Sequence, residues 1–222
     1  MFYTISDHAL AILKNSMIDS PTPTRAEASD AATAIYDGAD AIMLSAESAA
    51  GSYPEESVTM QQRIINRVEG DPHYSQYLRA TRPKITDGST ASAIILAARS
   101  VAKNVDAKCI ASFTNGGSTA RKASMKRPEQ PICAISPSKE TCRHLAMSWG
   151  VYSSYCPTED LNTDNFRDML KTCCEMVSKK GLVSEDKDLI VVTAGFPFGT
   201  PKAANIIRVI PAAGPTFWDE TL

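Results

Sequence analysis

Cys109-Ile110-Ala111-Ser112-Phe113, running without interruption into Thr114-Asn115-Gly116-Gly117-Ser118-Thr119, decides the reading of this chain. The first five residues are small or apolar and read as a buried strand. The two glycines permit positive φ and close backbone approach, and Ser118 or Thr119 can cap a helix. A strand that passes through a glycine turn straight into a helix is the unit from which parallel sheets are built.

The same alternation extends on both sides. Upstream, Ile94, Ile95, Ala98, Val101 and Ala102 line one helix face. Downstream, a short helix from about residue 119 stops before Pro128, and Ile132-Cys133-Ala134-Ile135 is the next strand. A helix over 141–147 and a weaker strand, Val151-Tyr152-Ser153-Ser154-Tyr155, follow. Phe166, Met169, Leu170, Cys173, Met176 and Val177 fall at helical spacing and make the clearest amphipathic helix in the chain. Leu189-Ile190-Val191-Val192-Thr193 and Ile206-Ile207-Arg208-Val209-Ile210 are the last two strands. Five strands alternating with helices predict a mostly parallel sheet covered on both faces, with ligands beyond the carboxyl ends of the strands.

The amino-terminal part has a different grain. Residues 1–15 carry no clean period, and Ser20-Pro21-Thr22-Pro23 is a stiff connector. Thr24-Arg25-Ala26-Glu27 has capping-box spacing and predicts a helix to about Asp37, closed by Gly38. Asp40-Ala41-Ile42-Met43-Leu44 reads as a buried strand, and Pro54-Glu55-Glu56 opens a helix whose apolar face is Met60, Ile64, Ile65 and Val68. Residues 70–84, with two prolines and scattered charge, read as a connector. The expected organisation is therefore 1–70, a connector over 71–84, a domain over 85–210 and a tail over 211–222.

Composition narrows the function. With 43% hydrophobic and 22% charged residues the chain lies in the globular range, and a net charge of −2 gives neither nucleic acid nor a membrane surface an electrostatic handle. No apolar run is long enough to span a bilayer and the first residues lack a signal-peptide pattern, so the cytoplasm is the expected location. The six cysteines show no C-x-x-C spacing and read as small reduced hydrophobes, while His8, His73 and His144 are far apart in sequence. No metal site is expected.

Three segments can carry chemistry. Thr114, Asn115, Gly116, Gly117, Ser118 and Thr119 lie where free amides and the positive end of a helix cradle an anion, and Arg121, Lys122, Lys126 and Arg127 follow closely. The plainer reading is an ordinary capped turn with a solvated basic face. Gly195-Phe196-Pro197-Phe198-Gly199-Thr200-Pro201 follows another strand, so Gly199 and Thr200 can join the same edge of the sheet; the alternative is a tight connection with Phe196 and Phe198 as core plugs. Ser45 and Glu47, two apart beyond Leu44, can face one side, yet no nearby base activates the serine and no second carboxylate completes a metal pair.

Pro23-Thr24-Arg25-Ala26-Glu27, the run from Asp37 to Ala49 that contains Met43-Leu44-Ser45-Ala46-Glu47-Ser48, and Gly51-Ser52-Tyr53-Pro54 closely resemble pyruvate kinase, and the likeness continues through Thr114 to Thr119, Trp149-Gly150-Val151 and Ala194 to Gly199. The resemblance covers about 16–210. It implies an α/β fold: an incomplete TIM-barrel remnant followed by a three-layer α/β/α pyruvate kinase C-terminal-like domain with a five-stranded, mostly parallel sheet. The family transfers phosphate from phosphoenolpyruvate to ADP with Mg2+ and K+, and in many members the carboxy-terminal domain binds a sugar-phosphate or nucleotide effector. Its catalytic lysine, metal-holding carboxylates and phosphate-binding arginine come from earlier barrel strands. Where the family has Ala-Thr-Gln-Met-Leu, this chain has Ala11-Ile12-Leu13-Lys14-Asn15, without the substrate-contacting threonine. Of the active site only Ser45 and Glu47 match. The resemblance therefore implies the carboxy-terminal portion of a pyruvate kinase, inactive alone and binding no metal itself. Its expected partners are a phosphorylated small-molecule effector on residues 114–119, 199 and 200, and a second copy or a full-length pyruvate kinase. The alternative is a non-catalytic module that senses a phosphorylated metabolite.

Overall fold

The computed structural model of the chain describes residues 16–81, 88–160, 166–195 and 204–213. The chain divides into two compact units, Met1–Lys84 and Ile85–Leu222.

In the first unit the described elements are helices: α1 (Ser16–Asp19), α2 (Arg25–Tyr36), α3 (Ala46–Ala49), α4 (Pro54–Glu69) and α5 (Tyr74–Thr81). The expected capping box opens α2. The Glu27 amide donates to Thr24 Oγ1 at 3.3 Å, and the Thr24 amide donates to Glu27 Oε2 at 2.8 Å. Gly38, at φ 88°, takes the left-handed turn that ends α2, and its amide donates to the Ile35 carbonyl. Ile35, Val68, Tyr74 and Leu78 are buried together, with Ile64 and Ile65 packed against them. The Tyr36 hydroxyl donates to Asp71 at 2.6 Å and the Tyr36 ring meets Tyr74 and Tyr77 edge-on, which fastens α5 to α2.

Two expectations fail here. The segment expected as a strand over 40–44 makes only a single bridge, at Met43, whose side chain is exposed. A parallel barrel strand takes its hydrogen bonds from strands on either side, and the first unit offers no strand among its described residues. The segment expected as a connector instead contains α5. Its first turn follows Asp71, which accepts from the His73 amide at 2.8 Å, and Tyr74 and Leu78, four apart, fill the core.

The second unit is a five-stranded sheet: β1 (Cys109–Phe113), β2 (Ile132–Ser136), β3 (Val151–Tyr155), β4 (Leu189–Gly195) and β5 (Ala204–Pro211), in the order β3-β2-β1-β4-β5. β1 to β4 run parallel, and β5 pairs antiparallel to β4 at one edge. The helices are α6 (Thr90–Asn104), α7 (Ser118–Met125), α8 (Lys139–Leu145) and α9 (Phe166–Lys179). Side chains alternate across the sheet, so Cys109, Ala111, Phe113, Cys133 and Ile135 meet Met169, Leu170, Cys173 and Val177 of α9. On the other face Ile110 and Val191 meet Ala98 and Ala102 of α6, Ile132 meets Ile95 and Ala123, and Ala134 meets Ala120 of α7 and Leu145 of α8. These are the three layers. The helix expected over 141–147 begins two residues earlier, because the Ser138 hydroxyl accepts from the Thr141 amide at 3.1 Å and caps it.

All six cysteines are free. Five of them, Cys109, Cys133, Cys156, Cys173 and Cys174, belong to the core on the α9 side. Burial pushes the Cys133 and Cys174 thiols up to about 11, so they pack as small hydrophobes rather than act as nucleophiles.

Candidate functional site

The loop between β1 and α7 is a designed turn rather than slack chain. The Thr114 amide donates to the Ile135 carbonyl at 3.0 Å, extending the β1–β2 pairing by one residue, and Thr114 is buried there. Asn115, Gly116 and Ser118 are exposed, and Thr119 is half-buried. Gly117 caps α7 in the left-handed region at φ 79°. A Cβ at Gly117 would lie 3.1 Å from Arg121 Nη1 and 3.3 Å from both Leu145 Cδ2 and Thr141 Cγ2, so conformation and space both call for glycine. With no side-chain cap at Gly117, the first amides of α7 lack intrahelical acceptors, as at any helix start.

Residues that the sequence reading left out hold the loop in place. The Asn115 carbonyl accepts from Thr141 Oγ1 at 2.9 Å and from Ser136 Oγ at 3.2 Å. The Ser138 amide in turn donates to Ser136 Oγ at 3.2 Å. The carboxyl end of β2 and the first turn of α8 thus buttress the loop that follows β1. The clue available in the sequence was Ser136-Pro137-Ser138, a second polar turn directly after a strand that neighbours β1.

The four basic residues do not form one face. Arg121 Nη2 donates to the Gly116 carbonyl at 3.0 Å, directly on the loop. Lys122 Nζ reaches Ser89 Oγ at 3.1 Å and Ser92 Oγ at 3.4 Å, at the start of α6. Lys126 lies at the far end of α7, and Arg127 is buried with its guanidinium 4.6 Å from the centre of the Trp149 ring.

β1 and β4 are parallel neighbours, with Ser112 beside Thr193, so the segments that leave them start from the same edge of the sheet. Gly199 and Thr200 lie outside the described residues. In the first unit, Ser45 is exposed and precedes the single turn α3, while Glu47 is buried and its Oε2 accepts from the Ser45 amide at 2.8 Å. Glu47 therefore caps the turn from within, and its Oε1 has no hydrogen-bond partner among the described residues.

Comparison with protein families covers most of the chain. The profile described as "Pyruvate kinase, alpha/beta domain" matches residues 92–210, and the one described as "Pyruvate kinase, barrel domain" matches residues 9–58. The chain belongs to the pyruvate kinase family. A pyruvate kinase of Agrobacterium vitis is 45% identical over 198 residues, 89% of this chain and 40% of that protein. That of Clostridium acetobutylicum is 40% identical over 195 residues, 88% of this chain and 40% of the relative. That of Staphylococcus aureus (strain USA300) is 39% identical over 195 residues, covering 88% and 32%. The chain thus spans about 40% or less of the length of these pyruvate kinases. The barrel match begins at residue 9, ahead of the 16–210 stretch over which the motifs carry the resemblance.

Mg2+ and K+, implied for full-length pyruvate kinases, find no donor set among the described residues. No group of three or more His, Cys, Asp or Glu could hold a metal ion there, and the matched active-site remnant supplies one carboxylate, Glu47, already capping α3. Among the described residues no helix is long and apolar enough to cross a membrane.

Proposed function

We propose that this chain supplies the effector-binding part of a pyruvate kinase: residues 114–119 take the phosphate of a small-molecule effector, and the 222 residues alone do not transfer phosphate from phosphoenolpyruvate to ADP. The observation that carries the first half is the loop itself. A left-handed Gly117 opens α7 at the carboxyl edge of a parallel sheet, with a guanidinium beside it. The second half rests on charge. Phosphoryl transfer depends on cations held around the moving phosphate, and the barrel match covers only residues 9–58.

Calorimetric titration of the chain with a panel of sugar phosphates and nucleotides tests the site. Thr119→Glu places a carboxylate in the first turn of α7 and is expected to abolish binding with the fold intact; an unchanged dissociation constant rules the site out. In a lactate-dehydrogenase-coupled assay the chain is expected to show no turnover above a no-protein control. Turnover that disappears with Ser45→Ala or Glu47→Gln would overturn the second half.

Association through the first unit is a second reading, supported by the apolar 40–44 segment that forms no strand and by the unsatisfied buried Glu47 Oε1. The occupant would be a second copy or a full-length pyruvate kinase. Light scattering, alone and with the full-length enzyme, tests it; a monomer in both conditions excludes it.

A further inference from the structure

Asn115-Gly116 is the one asparagine–glycine pair in the chain, and both residues are exposed. An asparagine followed by glycine can modify itself. The next main-chain nitrogen attacks the side-chain carbonyl carbon through a five-membered ring, and glycine has no Cβ to obstruct the approach. Apart from its chain neighbours, nothing lies within 4 Å of where a Cβ of Gly116 would be. Neither the Asn115 side chain nor the Gly116 amide makes a hydrogen bond among the described residues, so both reacting groups are uncommitted. Two other asparagines differ. Asn66 precedes Arg67 inside α4, and Asn104 precedes Val105, whose amide donates to the Val101 carbonyl at 3.0 Å.

The fold adds two hydrogen bonds at the Asn115 main-chain carbonyl. The attacking nitrogen is the deprotonated Gly116 amide, whose negative charge is shared with the Asn115 carbonyl oxygen across the peptide bond. That oxygen accepts from Thr141 Oγ1 at 2.9 Å and from Ser136 Oγ at 3.2 Å. Donors already aimed at the atom where charge develops favour the charged form. The Arg121 guanidinium, 3.0 Å from the Gly116 carbonyl oxygen, adds a full positive charge beside the same glycine. We propose that Asn115 is a self-modifying site, at which Thr141 and Ser136 stabilise the Gly116 amide anion and so promote conversion of the asparagine to aspartate and isoaspartate. The Gly116 nitrogen gives its proton to hydroxide and bonds to Asn115 Cγ. The bond from Cγ to the side-chain nitrogen breaks, and ammonia leaves with a proton from water. Water, the only co-reactant, then opens the resulting succinimide at either carbonyl. Thr141 and Ser136 act through the Gly116 amide and are positioning residues. The product carries a full negative charge within the loop that Arg121 contacts, and isoaspartate also lengthens the main chain there by a methylene.

The test is peptide mass spectrometry on the full chain, incubated at neutral and at mildly alkaline pH. Conversion at residue 115 is read from the mass gained when NH2 becomes OH and from the chromatographic split between aspartate and isoaspartate. It is expected to outpace conversion at Asn66 and Asn104 and to accelerate as pH rises, because the nucleophile is an anion. Thr141→Val keeps the shape of the side chain but removes the donor, and should slow conversion about fivefold or more; Ser136→Ala should slow it in the same direction. Thr141→Ser restores the hydroxyl and should return the wild-type rate. Circular dichroism confirms that each variant is folded. Hydroxyls that merely braced the loop would leave the opposite signature, because the loosened loop of Thr141→Val would convert faster. Conversion at residue 115 no faster than at Asn66 and Asn104, or undiminished in both Thr141→Val and Ser136→Ala, overturns the assignment.

Discussion

Glu27 shows how much one side chain can organise. Its carboxylate accepts from the Ser16 amide at 3.2 Å, from the Thr24 amide and hydroxyl at 2.8 Å each, and from the Ser16 hydroxyl, joining α1 to the start of α2. Burial pushes its pKa up, but these donors outweigh burial and bring it from 4.5 down to about 2. A carboxyl whose folded pKa is depressed stabilises fully above its unfolded value, so the contribution is complete above about 4.5 and disappears as pH falls through about 2. Carboxyl NMR of Glu27 should show the low midpoint, and Glu27→Gln should flatten the acid dependence of stability across that window. An ordinary midpoint would remove the argument. Gly117 gives a second test at this scale. Gly117→Ala forces a Cβ into the left-handed region and against Arg121, Leu145 and Thr141, and should cost about 1–2 kcal/mol in chemical denaturation.

Elements differed in how well the sequence announced them, and the difference follows from where their hydrogen bonds go. Cys109–Phe113 was readable to the residue as a short run of small and apolar residues between turn signals, and Val151–Tyr155 as β-branched and aromatic residues directly after Gly150. The helix Phe166–Lys179 was readable because Met169, Leu170, Cys173 and Val177 bury one stripe. The 40–44 segment has the same apolar look as a strand, yet apolarity cannot supply a neighbouring edge. Tyr74–Thr81 was hidden by Pro72 and Pro83, which bracket barely two turns, and its fastening by Tyr36 and Asp71 is a long-range contact. At the site, Gly117 was legible through local turn chemistry, whereas Ser136 and Thr141 act on Asn115 from more than twenty residues away, and the polar turn Ser136-Pro137-Ser138 was the one sequence clue to them. The core ranking is testable. Met169→Ala empties a fully buried position and should cost about 2–5 kcal/mol, whereas Tyr152→Ser on the exposed edge strand should stay within about 0.5 kcal/mol. Similar losses from both would contradict the assigned face of α9.

At the scale of the whole chain the two units have unequal resources. The second buries a sheet between helices on both faces, while the first has five helices and no strand among its described residues. Limited proteolysis should therefore cut first before about residue 84 and leave a resistant carboxy-terminal core, read by mass spectrometry on material shown to be monomeric. Uniform resistance from the amino terminus onward would show a first unit as firmly held as the second. In the second unit a phosphate is expected at the start of α7, and amide NMR reads that place directly. Titrating the isotope-labelled chain with methyl phosphate should move the Gly117, Ser118, Thr119 and Ala120 amide signals saturably, while those of 45–49 stay fixed. Saturable shifts elsewhere with residues 117–120 unmoved, or no saturable shift at any concentration, would contradict it.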